Sequence, residues 1–74
     1  MNKKGKIIWY NEFKGYGFVE DIDGNRYFLH DKSIEKKINK DSLTAGASIK
    51  FKAAKDKIEV GQESFLEITD IDFV

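Results

Sequence analysis

Neither cysteine nor proline occurs in the 74 residues. The first absence excludes disulfide staples, thiolate metal sites and thiol nucleophiles. The second, with no repeat and no low-complexity tract, leaves nothing that reads as a linker. Histidine occurs once, at His30, and a lone imidazole with no second ligand at a metal spacing is not a metal site. With no serine placed to pair with it, and no phosphate-cradling glycine loop before a helix, the chain is not expected to be an enzyme or to hold a cofactor. Long hydrophobic runs are missing too. Ile7-Ile8-Trp9-Tyr10 stops at Asn11-Glu12, far short of a signal h-region or a membrane span, so a soluble intracellular protein without a membrane partner is expected. A chain of this length forms one domain, residues 1–74, and hides only about 60% of its unfolded surface. Its core must therefore come from well-patterned elements rather than from bulk.

A net charge of one sign is also lacking, since 13 basic side chains face 13 acidic ones. Zero net charge argues against a ligand held mainly by electrostatics. The distribution is nevertheless uneven. Residues 1–40 carry nine basic groups and six acidic ones, whereas residues 41–74 carry four and seven. An anionic ligand is expected to meet the first half.

What is present is a regular alternation of apolar runs and glycine punctuation. The six glycines separate five candidate strands, at 6–10, 16–20, 26–30, 47–54 and 64–74. In the second run the period of two puts Tyr16, Phe18 and Glu20 on one face and Gly17 with Val19 on the other. In the third, Phe28 and His30 share a face opposite Tyr27 and Leu29. The short turn at Asp23-Gly24 makes these runs an antiparallel hairpin, which can bring Tyr16, Phe18, Phe28 and His30 onto a common surface. With Val19 and Leu29 claiming the other face, Phe18 and Phe28 are expected outside the core. Tyr10, Tyr27, Phe51, Phe65 and Phe73 are read as structural, and alternation would as readily bury Trp9 beside Ile7 as expose it.

In the last run the alternation of Leu66 and Ile68 slips near Asp70, where a one-residue bulge would return Ile71 or Phe73 to the core face. Between the third and fourth runs, Ile34 and Ile38 lie four apart and Ser33 could cap a turn, which predicts one helical turn and then a lysine-rich loop. Asp21-Ile22-Asp23-Gly24-Asn25 shares only its opening with a calcium loop, lacking the glutamate and the flanking helices, and reads as a hairpin turn. Five short strands of this kind predict a closed or partly closed all-β barrel, because closure removes exposed edges.

Three segments, Gly5-Lys6-Ile7-Ile8-Trp9-Tyr10-Asn11, Lys14-Gly15-Tyr16-Gly17-Phe18-Val19 and Tyr27-Phe28-Leu29-His30, stand in the order and spacing of the cold-shock domain, which the chain resembles over essentially its whole length. The second segment looks like that family's first ribonucleoprotein motif and the third like its second. The resemblance implies a five-stranded antiparallel Greek-key barrel of the OB-fold, cold-shock type. It also implies a bacterial, cytoplasmic protein that binds single-stranded RNA or DNA. By position, Trp9, Tyr16, Phe18, Phe28 and His30 would be the stacking surface and Lys6 and Lys14 would steer phosphates. The physics agrees, because an exposed ring offers a sequence-tolerant platform worth roughly 1–3 kcal/mol per base.

Three positions depart from the family's pattern. Asp31 stands where an aromatic is usual, Ile8 where a lysine is usual, and residues 35–41 lack an aromatic but carry Lys36, Lys37 and Lys40. Two functional readings follow. One is a single-strand binder of low sequence specificity, RNA-chaperone-like and monomeric. The other is a diverged barrel of the same fold that serves as a protein-interaction or structural module.

Overall fold

A computed structural model describes residues 2–74, the side chain of Lys55 excepted. Five strands form where the apolar alternation lies: β1 (Asn2–Asn11), β2 (Tyr16–Asp21), β3 (Arg26–His30), β4 (Ser48–Val60) and β5 (Glu63–Phe73). They close into a barrel in the order β1-β2-β3-β5-β4, with β4 returning to β1. Four of the five seams are antiparallel. The β3–β5 seam is parallel, pairing Tyr27 with Leu66 and Phe28 with Glu67. That direction follows from the connection: residues 31–47 carry the chain from β3 to the far side of β1, and the β4–β5 hairpin then returns β5 alongside β3.

The core is the inward half of this alternation. Ile7, Val19, Leu29, Ile49, Phe51, Ile68 and Ile71 are fully buried, and Tyr27, Ile34, Ile38 and Leu43 join the same cluster. The strand registers shift at three places, the third between Ala53 and Lys57 on β4, and the other two are bulges that keep the core pattern in phase. On β1, Ile7 pairs with Val19 and Trp9 with Phe18, so Ile8 is the extra residue. On β5, the step from Lys50–Asp72 to Lys52–Thr69 leaves one extra residue at Asp70, whose φ is +53°. The expected slip near Asp70 is thus a bulge, and it returns Ile71 to the interior. Aspartate tolerates this left-handed backbone better than most side chains.

The segment between β3 and β4 differs from the expected single helical turn. It holds two separate 3-10 turns, Asp31–Ser33 and Lys40–Ser42. Ser33 caps neither. Lys32 N donates to His30 Nδ1 at 3.2 Å, and Asp41 N donates to Asn39 Oδ1 at 3.0 Å. Ile34 and Ile38 are buried all the same, because each anchors the loop onto the barrel rather than lining one helix face.

The β2–β3 turn is organised by Asp21, whose carboxylate accepts from Asp23 N and Asn25 N, both at 2.9 Å, from Asn25 Nδ2 at 3.2 Å, and from Tyr27 OH at 2.8 Å. Both oxygens are spent on the turn, as the hairpin reading requires. Burial pushes this carboxyl up, but the hydrogen bonds from Tyr27, Asn25 and Asp23 outweigh it and hold the group below its ordinary value. Burial first, and then the Asp21 hydrogen bond and charge, push the Tyr27 phenol up to about 12. No helix among the described residues is long and apolar enough to cross a membrane.

Candidate functional site

On the outside of the β1–β2–β3 sheet the register sets aromatic side chains directly opposite one another: Trp9 with Phe18, Phe18 with Phe28, and Tyr16 with His30. Outward-facing cross-strand pairs lie close enough for rings to touch. Trp9 lies 5.4 Å from Tyr16 edge-on and 6.3 Å from Phe18 nearly parallel. Tyr16 stacks on Phe28 at 5.6 Å, and Phe18 meets Phe28 at 5.9 Å. Phe28 in turn lies 6.0 Å from His30. The five rings expected from the sequence form one connected surface.

Their exposure is not uniform. Trp9 is 39% exposed, Tyr16, Phe18 and His30 are partly exposed, but Phe28 is only 5% exposed. Phe28 faces outward as alternation predicts, yet it is covered by its neighbours, the rings of Tyr16, Phe18 and His30 among them, so it is the floor of the cluster and not a free platform. The expectation of an exposed Phe28 is corrected on this point. The His30 ring is set by its Nδ1, which lies 3.2 Å from Lys32 N and 3.1 Å from Asp31 Oδ1.

The β1 bulge decides the position of Trp9. Strict alternation from the inward Ile7 would turn Trp9 back into the barrel, whereas the extra residue lets Ile8 and Trp9 both face out, at 38% and 39% exposed. The partner strand must come close at this point. A side chain on Gly17 would collide with the Trp9 carbonyl oxygen and come within 2.7 Å of Tyr10 Cα. Gly17 pairs with Tyr10, one step beyond the bulge, and glycine is required there by the close approach of the two strands, while the bulge is what presents the indole.

Lys6 and Lys14 flank the rings at opposite ends of the sheet, and both are exposed. Lys6 lies opposite Glu20, whose carboxylate accepts from Arg26 Nε at 3.3 Å. Lys14 sits in the β1–β2 turn, where Asn11 Oδ1 accepts from Phe13 N and Lys14 N at 2.9 and 3.0 Å. Asp31 packs its carboxylate against Gly15, whose φ of +77° belongs to the same turn. In the connecting loop Lys37 lies 3.8 Å from Glu35, while Lys36 and Lys40 are exposed.

A model of the "Cold-shock" DNA-binding domain matches residues 3–63. The chain belongs to that family. It is a family of nucleic-acid-binding domains, and the match takes in β1 to β4 and all five rings. Cold shock-like protein CspC of Buchnera aphidicola subsp. Acyrthosiphon pisum (strain APS) is 41% identical over 49 residues, which cover 65% of this chain and 70% of that protein. Cold shock protein CspB of Geobacillus stearothermophilus is 39% identical over 49 residues, covering 66% and 73%. The plant Cold shock protein 1 of Arabidopsis thaliana is 42% identical over 48 residues, which are 64% of this chain but 16% of that longer protein.

Two rings escaped the sequence reading. Phe65, read as core, lies on the outer face of β5 with its centroid 5.1 Å from that of Phe18. Its signal was present in the alternation, which places it opposite the inward Leu66 and Ile68. Phe13 is 94% exposed, and its only signal was an aromatic inside the polar stretch Asn11-Glu12-Phe13-Lys14-Gly15.

Proposed function

We propose that this chain binds single-stranded RNA or DNA by stacking bases on Trp9, Tyr16, Phe18 and His30 above the buried Phe28, with Lys6 and Lys14 steering the phosphates. The observation that carries this reading is the connected ring surface, with centroid separations between 5.1 and 6.3 Å, on the outside of a barrel whose interior is already filled. These rings lie outside the core cluster, and Trp9, Tyr16, Phe18 and His30 keep part of their surface open to solvent. Only an unpaired strand offers the flat base faces that match them. Stacking discriminates weakly among bases, so sequence specificity is low. Capture of transiently unpaired stretches shifts RNA hairpins toward the open form by mass action, which makes the protein RNA-chaperone-like without nucleotide hydrolysis or any cofactor. In the closed barrel every strand is paired on both sides over part of its length, which limits pairing between copies and supports a monomer. A cytoplasmic location, where RNA is abundant, fits this role.

The test is quenching of Trp9, the single tryptophan, on titration with a short oligothymidine, with duplex DNA as control. Saturable quenching by the single strand is expected. If two phosphates are neutralised, by Lys6 and Lys14, the logarithm of affinity falls with the logarithm of salt with a slope of about −1.4. Folded protein that gives no quenching and no salt-dependent binding overturns the proposal and favours a protein-interaction module.

A further inference from the structure

We propose that Phe65 is a further base-stacking ring, through which the track of rings leaves the β2–β3 hairpin sideways onto β5. The inference rests on the single-strand reading above and adds to it a residue on a different strand.

Four observations lead there. The outward row of β5 consists of Phe65, Glu67 and Thr69, all partly exposed, while Leu66 packs against the core and Ile68 is fully buried. Phe65 is the one aromatic in that row, so it has no place in the interior. Its ring is tilted 53° to that of Phe18 at 5.1 Å. That is the shortest ring separation on this face, and it joins Phe65 to the cluster without burying it. Phe28 of β3, between Phe18 of β2 and the row of β5, is only 5% exposed, so the exposed platforms lie around it and not on it. Finally, the other way out of the cluster, past His30, is occupied by the Asp31 carboxylate, which repels a phosphate chain. A base carried on from Phe18 meets an apolar ring on the β5 side, with Glu67 two residues along the same row, and no ring but the Asp31 carboxylate beyond His30 on the other.

A duller role for Phe65 is to shield the edge of Phe18, and the two roles differ in what they require. Shielding needs apolar volume, which leucine supplies. Stacking needs a flat face, which leucine lacks and tyrosine keeps. The experiment compares the full chain with Phe65→Leu, Phe65→Tyr and Phe18→Leu, each first checked by thermal unfolding, in the Trp9 titration with an oligothymidine of about six nucleotides. Phe65→Leu is expected to bind about 5-fold more weakly or worse, the low end for one stacking platform, and Phe65→Tyr to bind like wild type. Should Phe65→Leu bind like wild type while Phe18→Leu is weakened, the proposal is overturned and the aromatic-face reading stands. Absence of binding by the wild type overturns both. If Phe65→Leu does not fold, the wild-type chain decides: ring-proton shifts of Phe65 on adding the oligothymidine support the proposal, and unmoved Phe65 signals beside shifting Phe18 signals refute it.

Discussion

Replacing Phe28 should separate stability from binding on the aromatic face. The ring is 5% exposed and in contact with Tyr16, Phe18 and His30. Removing a buried phenyl ring costs about 3–5 kcal/mol as lost transfer energy plus residual cavity. The low end applies, because Tyr16, Phe18 and His30 are partly exposed and free to settle into the space, so we expect about 3 kcal/mol. A chain of this length has about 4–11 kcal/mol to lose, and each kcal/mol moves the melting temperature of a small domain by about 4–8 °C. Phe28→Ala should therefore remain folded in the cold yet melt some ~12–24 °C lower. Phe18→Ala, which removes a partly exposed ring, should lose less stability, about 1–2 kcal/mol, but more affinity. The assay is urea unfolding followed by circular dichroism, with oligothymidine affinity measured for each variant well below its midpoint. Equal midpoints for Phe28→Ala and wild type, with affinity lost, would refute the reasoning, since Phe28 would then act as an open platform and not as a floor.

Three further outcomes follow from named contacts. Tyr27→Phe removes the 2.8 Å hydrogen bond to the Asp21 carboxylate and should cost about 1.5–3 kcal/mol in urea unfolding. Asp21 titrates below its ordinary value when folded, so its contribution is complete above the unfolded pKa of about 3.9 and is lost as the pH falls through the lower folded value. The acid limb of a stability profile should thus flatten in Tyr27→Phe, and an unchanged limb would count against the Asp21 assignment. Gly17→Ala should destabilise by about 1–3 kcal/mol or abolish folding, since its Cβ meets backbone of β1 that has nowhere to move; a circular dichroism melt as high as that of wild type would refute the close approach of β1 and β2 at this pair. Phe13→Ser, at a 94% exposed position, should change stability by less than about 0.5 kcal/mol, which urea unfolding checks.

The relation between the chain and its fold is clearest at the two bulges. The period of two in residues 16–20 and 26–30 already divides each strand between a core face and an outer one, because successive side chains on a strand point to opposite sides. The hairpin was legible from Asp23-Gly24, but its register was not: the loop is the three residues Ile22-Asp23-Gly24, closed by Asp21 N donating to Asn25 O at 2.9 Å with Gly24 at a φ of +87°, and that odd count sets Phe18 opposite Phe28 where a two-residue turn would set it opposite Leu29. Composition likewise excluded disulfides and thiolate sites, since those need particular atoms. Apart from that register, this is local physics, legible wherever neighbours in sequence are neighbours in space.

Tertiary structure decided what depends on strands distant in sequence. Trp9 faces out because β1 carries an extra residue, Ile8, between the pairs Ile7–Val19 and Trp9–Phe18 that it makes with β2, and no pattern within β1 states that. Phe28 lies on the outer face as alternation predicts, but its burial depends on rings from neighbouring positions closing over it. Phe65 joins the cluster because β5 pairs parallel to β3, a seam fixed only when the barrel closes. Alternation tells a side chain which face it takes, whereas exposure on that face is set by what other strands bring beside it.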